Sequence, residues 1–115
     1  MSEPQSQSIG LASATNLSFL GTRFIAKRVR PSIAAALSDT NLVVIDFAGV
    51  DVTQSFIDKL LGPLVLEFGE ELLKRLAFRS CSETAQTIIR FVVSNRLTDY
   101  ATLRGHSDPR SFPVA

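Results

Sequence analysis

The segment Asp51-Val52-Thr53-Gln54-Ser55-Phe56-Ile57-Asp58 gathers hydroxyl, amide and carboxylate side chains at what reads as the start of a helix. Ser55 followed three residues later by Asp58 has the spacing of a capping-box variant. In that arrangement the hydroxyl accepts from a first-turn N–H, and the carboxylate favours the positive end of the helix dipole. Thr53 is a rival cap. The same position suits a regulatory hydroxyl. A phosphate on Ser55 would meet free N–H groups and a helix dipole that accept an anion. It would change the local charge by about −2. Beside Asp51 and Asp58, that is a switch by surface electrostatics, without refolding.

Other residues could carry chemistry but lack the company it requires. Asp46, Asp51 and Asp58 could be read as a carboxylate set for Mg²⁺, yet such a site needs convergent oxygens, usually with substrate phosphates. No Gly-rich phosphate loop accompanies them. Asp46 sits in an apolar strand pattern and reads as bonding the backbone of a neighbouring loop. Cys81 precedes a helix start, which lowers thiol pKa values in general, but a small buried thiol is the simpler reading. The single histidine, His106, excludes any site built on two, and its place in a loose tail argues against a Ser–His–acid triad. Arg23, Lys27 and Arg30, with Arg28 beside them, form a basic helical stripe. It reads as a solvated face, or as one that meets an acidic partner or a phosphate. Lack of aromatic interleaving and a net charge of +1 argue against nucleic acid.

The elements that must position these residues follow from apolar spacing. Ile9 to Phe19 hints at a hairpin or two short strands. From Thr22 a helical pattern begins, with Phe24, Ile25, Val29, Ile33, Ala36 and Leu37 on a broad face and Pro31 inside it. Leu42 to Phe47 is the strongest strand signal, continuous enough for a strand covered on both faces. Phe56, Ile57, Leu60, Leu61, Leu64, Val65 and Phe68 make a helical stripe, bent at Pro63 and stopped by Gly69. Arg75 to Phe78 is a second strand. Ser80 or Ser82 caps a last helix whose buried face is Ala85, Ile88, Ile89, Val92 and Val93. Strands alternating with helices predict an α/β layer with a mostly parallel sheet of four or five strands. The Ala48–Ser55 turn then lies beyond a strand's carboxyl end, where such sheets place functional surfaces.

The chain has 115 residues, 45% hydrophobic and 20% charged, which is ordinary composition for one domain. Residues 1–8 are expected to be disordered, 9–101 to form the domain and 102–115 to be a flexible tail. Twelve Lys and Arg against 11 Asp and Glu leave +1, with no strong preference for polyanions. One Cys fits a reducing compartment, the apolar runs are too short for a bilayer, and the N-terminus lacks a secretory pattern. A cytoplasmic location is expected, with no membrane partner.

Gly21-Thr22-Arg23, Val44-Ile45-Asp46-Phe47-Ala48-Gly49-Val50, Ser55-Phe56-Ile57-Asp58 and Gly69 together resemble the STAS-like domain family of small bacterial proteins, over about Gly21 to Arg96. That family is found alone or beside histidine-kinase-type ATPase domains and is related to the anti-sigma-factor antagonists. The resemblance implies a mixed, mostly parallel sheet of four or five strands flanked by helices. The antagonists carry an Asp-Ser-Ser-Gly type motif in which an ATP-dependent kinase phosphorylates a serine. Ser55 falls at that serine, Gln54 stands where the Asp would be, and Phe56 and Ile57 replace the Ser-Gly pair.

The function expected is a non-enzymatic regulatory interaction module without cofactor or metal. Its partner would be a protein such as a histidine-kinase-type ATPase. Asp51, Thr53, Gln54, Asp58 and Lys59 would form the docking surface, with Ser55 as phosphoacceptor and Arg23, Lys27 and Arg30 as a secondary basic face. The alternative is an assembly protein that self-associates, as a homodimer or larger, through a helix face or sheet edge. An enzyme is disfavoured because no nucleophile–base pair, ligand set or nucleotide loop is evident.

Overall fold

The computed structural model describes residues 6–104, of which 102–104 are described by their helical backbone alone. β-Branched, apolar Leu42–Asp46 forms β3, the central strand of a three-stranded sheet. Strands β1 (Ser6–Gly10) and β5 (Leu76–Arg79) lie on either side, both parallel to it. Ser6 stands opposite Leu42 and Gly10 opposite Asp46 on one side, Val43 opposite Leu76 and Asp46 opposite Arg79 on the other. Two short strands, β2 (Phe19–Leu20) and β4 (Asp51–Val52), make a separate parallel pair. The molecule is therefore α/β with a small parallel sheet, but among the described residues not one sheet of four or five strands. The reason lies in the turn after β3. The Val50 N–H bonds the Phe47 carbonyl at 3.2 Å and Gly49 takes φ 79°, which carries the chain out of the main sheet before Asp51.

Four helices complete the chain among the described residues: α1 (Leu11–Thr15), α2 (Arg23–Asp39), α3 (Gln54–Phe68) and α4 (Glu83–Arg104). A 3-10 turn, Gly69–Lys74, follows α3. Helix α2 packs on β3 and α3, and α3 packs on α4. Their inward faces join Ile9, Val43 and Ile45 in one core with Ile33, Leu37, Phe56, Leu60 and Leu61. The apolar run of β3 predicted burial on both faces. Instead Val43 and Ile45 are buried while Leu42, Val44 and Asp46 are half-buried, the alternation of a strand covered fully on one side only.

The N-terminal part departs most from expectation. Ser6–Ser8 lie in β1, inside the segment expected to be disordered, because their backbone pairs with Leu42–Val44 whatever their side chains. Of the hairpin or two short strands expected from Ile9 to Phe19, the two strands are found, Ile9 ending up in β1 and Phe19 in β2, but no hairpin joins them. A parallel strand needs a crossover, and the chain turns through α1, ended by Asn16 in the left-handed region at φ 58°. At the other end α4 runs to Arg104, past the boundary expected at residue 101. Residues 1–5 and 105–115, including His106, lie outside the described residues.

Helix ends are capped as their sequences allow. The Thr22 hydroxyl accepts from the Ile25 N–H at 3.2 Å, and the Ser82 hydroxyl from that of Ala85 at 3.1 Å. Arg75 donates to the carbonyls of Leu37 and Thr40 at the end of α2, which offsets its negative dipole end. No helix among the described residues is long and apolar enough to cross a membrane.

Candidate functional site

Helices α2 and α3 start side by side because the β2–β4 pair holds the segments that precede them. The Asp51 N–H bonds the Ser18 carbonyl at 2.8 Å, and the Thr53 N–H bonds that of Leu20 at 3.2 Å. Thr53 then works in both directions. Its hydroxyl donates to the Gly21 carbonyl at 3.1 Å and accepts from the Phe56 N–H at 3.1 Å. One threonine thus caps α3 and ties it to the chain entering α2.

With Thr53 as cap, Ser55 is the second helical residue and is exposed. The capping-box reading of Ser55 with Asp58 is corrected accordingly, because the box would need its acid at position 56, where Phe56 stands buried. Asp58 looks elsewhere. The Arg96 guanidinium on α4 donates to both its oxygens, at 3.0 and 2.8 Å, and reaches Asp99 at 3.4 Å. The bonds to Asp58 hold the Arg96 pKa above its ordinary value. Gly62 leaves room for this crossing: a Cβ there would lie 2.9 Å from Arg96 Nε, so the guanidinium would have to shift. Nothing in the local sequence announced Arg96, which lies 38 residues from its partner.

Lys59, Arg23, Asp58 and Arg96 line a groove of about 350 Å³ floored by Gly62 and Leu66. Arg30 does not stand on a free basic face with Arg23 and Lys27. Its guanidinium donates to the Lys59 carbonyl at 2.7 Å. That carbonyl would ordinarily receive the N–H four residues on, but residue 63 is proline and has none. Pro63 was the signal in the sequence for this bond. Arg23, Lys27 and Gln54 are exposed, as is Asp51 at the start of β4.

The three aspartates once grouped for Mg²⁺ are not brought together. Asp46 accepts from the Ala48 N–H at 2.9 Å, the backbone bond expected of it, and also from Arg79 at 3.2 Å, which the sequence did not announce. These bonds, the backbone one foremost, hold its carboxyl below the ordinary range. Among the described residues no group of three or more His, Cys, Asp or Glu side chains could hold a metal ion. Cys81 is half-buried rather than buried, beside Phe78, Ser80 and Gln86. Burial, and then the charge of Asp46, push its thiol up, the reverse of an activated nucleophile.

No curated protein and no solved structure matches this chain. Residues 26–86, just over half of it, match a family described as a STAS-like domain of unknown function. The matched stretch runs from the first turns of α2 through β3, β4, α3 and β5 into α4, and so contains the Thr53 cap and the exposed Ser55. An α/β chain with this order of elements and this match over the half that builds the site belongs to the STAS-like domain family.

Proposed function

We propose that this chain is a non-enzymatic regulatory module that docks a protein partner through the start of α3, with Ser55 as a phosphoacceptor. The observation that carries the reading is the division of labour between Thr53 and Ser55. Thr53 caps the helix, so the Ser55 hydroxyl stands exposed and is not needed for folding. A phosphate there would lie in the first turn, near unpaired N–H groups, and would add about −2 to the surface without breaking a bond the fold uses. Asp51, Gln54 and Lys59 form the surface around it, and Thr53 positions it. Asp58 contributes through its pair with Arg96 rather than as a free charge. The resemblance to anti-sigma-factor antagonists makes a histidine-kinase-type ATPase acting as a serine kinase the natural partner, in the cytoplasm where a lone cysteine stays reduced.

Incubation with such an ATPase from the neighbouring genes, with ATP, tests this by intact mass. A gain of one phosphate, absent from Ser55→Ala, is the expected result. No gain, together with unchanged partner binding by Ser55→Glu, overturns it. A second reading rests on β1 and β5, which are edge strands each paired on one side only among the described residues. Self-assembly through those edges would appear in light scattering as a mass that rises with concentration.

A further inference from the structure

The apolar spacing assigned Phe24 to the buried face of α2, and the structure puts it on the opposite side. Nine residues separate it from fully buried Ile33, two and a half helical turns, so the two side chains point in opposite directions. Ala26 takes the inward place instead, and Phe24 is 69% exposed. Lys27 and Arg28, three and four residues on, flank it on the same outward face, and both are exposed. Leu17, 44% exposed, stands beside Arg28, and the two rim a hollow of about 180 Å³ with Ile25, Val29 and Ser32. Phe19, 60% exposed, ends the apolar stretch, its ring folded over Gly21. Asp51, opposite Phe19 in the β2–β4 pair, marks the boundary.

We infer that this face of α2 docks an acidic protein segment that carries an apolar anchor residue, with Phe24 and the Leu17 hollow taking the anchor and Lys27 and Arg28 the acids. Phe24 does not line the hollow, but Arg28, one turn on along α2, borders both, and aromatic and Arg side chains are enriched at interface cores. The charge selects the occupant. A second copy docking face to face would bring Lys27 and Arg28 against their own equivalents, a like-charge contact. A bilayer offers no single side chain for a hollow to receive. A nucleic acid could stack on Phe24 and Phe19, but the face offers its phosphates only Arg23, Lys27 and Arg28 in a chain of net charge +1, too few cations for tight binding. The inference stands apart from Ser55, which is on another helix.

The test uses the isotope-labelled full chain and a synthetic amphipathic helix of Glu and Leu, with leucines at i, i+3, i+4 and i+7. A scrambled peptide, vesicles of phosphatidylserine in phosphatidylcholine, and a single-stranded oligonucleotide serve as comparisons. The expected result is saturable amide shifts over residues 15–32 with the helical peptide, weakened by added salt. Phe24→Ser and Arg28→Glu should each weaken binding about tenfold while Ser55→Ala does not. Because Phe24 and Arg28 are exposed, the urea midpoints of both variants should match the parent, which separates lost binding from lost fold. Shifts elsewhere, equal binding by Phe24→Ser, or binding of vesicle or oligonucleotide in place of the peptide would each overturn the inference.

Discussion

Thr53 and Ser55 are two hydroxyl residues one position apart, and their roles divide sharply. Thr53→Ala removes an N-cap and a bond between the two helix starts, so it should cost about 1–2 kcal/mol in urea unfolding. Ser55→Ala should stay within about 0.5 kcal/mol. The sequence showed both as caps and could not choose, since the choice depends on where the β2–β4 pair releases the chain. Asp46 was legible as a strand-end carboxylate bonding a loop, but its partner Arg79 was not, because the pairing exists only across the β3–β5 register. Its lowered pKa has a direction in pH. The stabilisation is present above the unfolded carboxylate value and is lost as pH falls through the lower folded value. Asp46→Asn should therefore flatten the fall of stability at the acid end, read by urea unfolding from neutral pH downward. The same substitution removes one of the two influences that raise the Cys81 thiol. Iodoacetamide should label Cys81 more slowly than a free cysteine, and faster in Asp46→Asn than in the parent.

At the scale of elements, the proline in α3 and the arginine in α2 form one device. Arg30→Met leaves the Lys59 carbonyl without a donor and should cost about 1–3 kcal/mol. Pro63→Ala restores the N–H of residue 63, so Arg30→Met should cost clearly less in that background, which a double-mutant cycle in urea reads directly. The end of α3 is equally specific. Gly69 has φ 64° and ψ −145°, a region essentially closed to other residues, and a Cβ there would overlap the Tyr100 ring. Gly69→Ala should lower stability by about 1–3 kcal/mol. Gly69 was readable as a helix stop because glycine serves that role so often. The faces of α2 were less readable. Phe24, Ile25 and Val29 fit an apolar arc as well as Ala26, Val29 and Ile33 do, and small Ala26 gives little signal for the side that packs.

For the whole molecule, alternation of strand and helix was enough to predict a parallel α/β layer, since β3, α3 and α4 each carry a strong apolar pattern. The edge strand β1 was hidden because Ser6, Gln7 and Ser8 pair through their backbones and are exposed. A chain lacking residues 1–8 loses those ladder bonds and should unfold at lower urea than the full chain, by roughly 1–3 kcal/mol at about 1 kcal/mol per bond. The position of β3 between β1 and β5 also constrains the order of assembly during synthesis. The first strand leaves the ribosome with nothing to pair with, and its partner emerges only after all of α2 has been made. The last strand is made after β3 and meets a partner that is already out. Leu42–Asp46 is thus the stretch on which the main sheet depends: no part of that sheet can form before it is translated, and a pause placed just upstream of it would hold Ser6–Gly10 without β3 and open to chaperones or to the same strand on a neighbouring nascent chain.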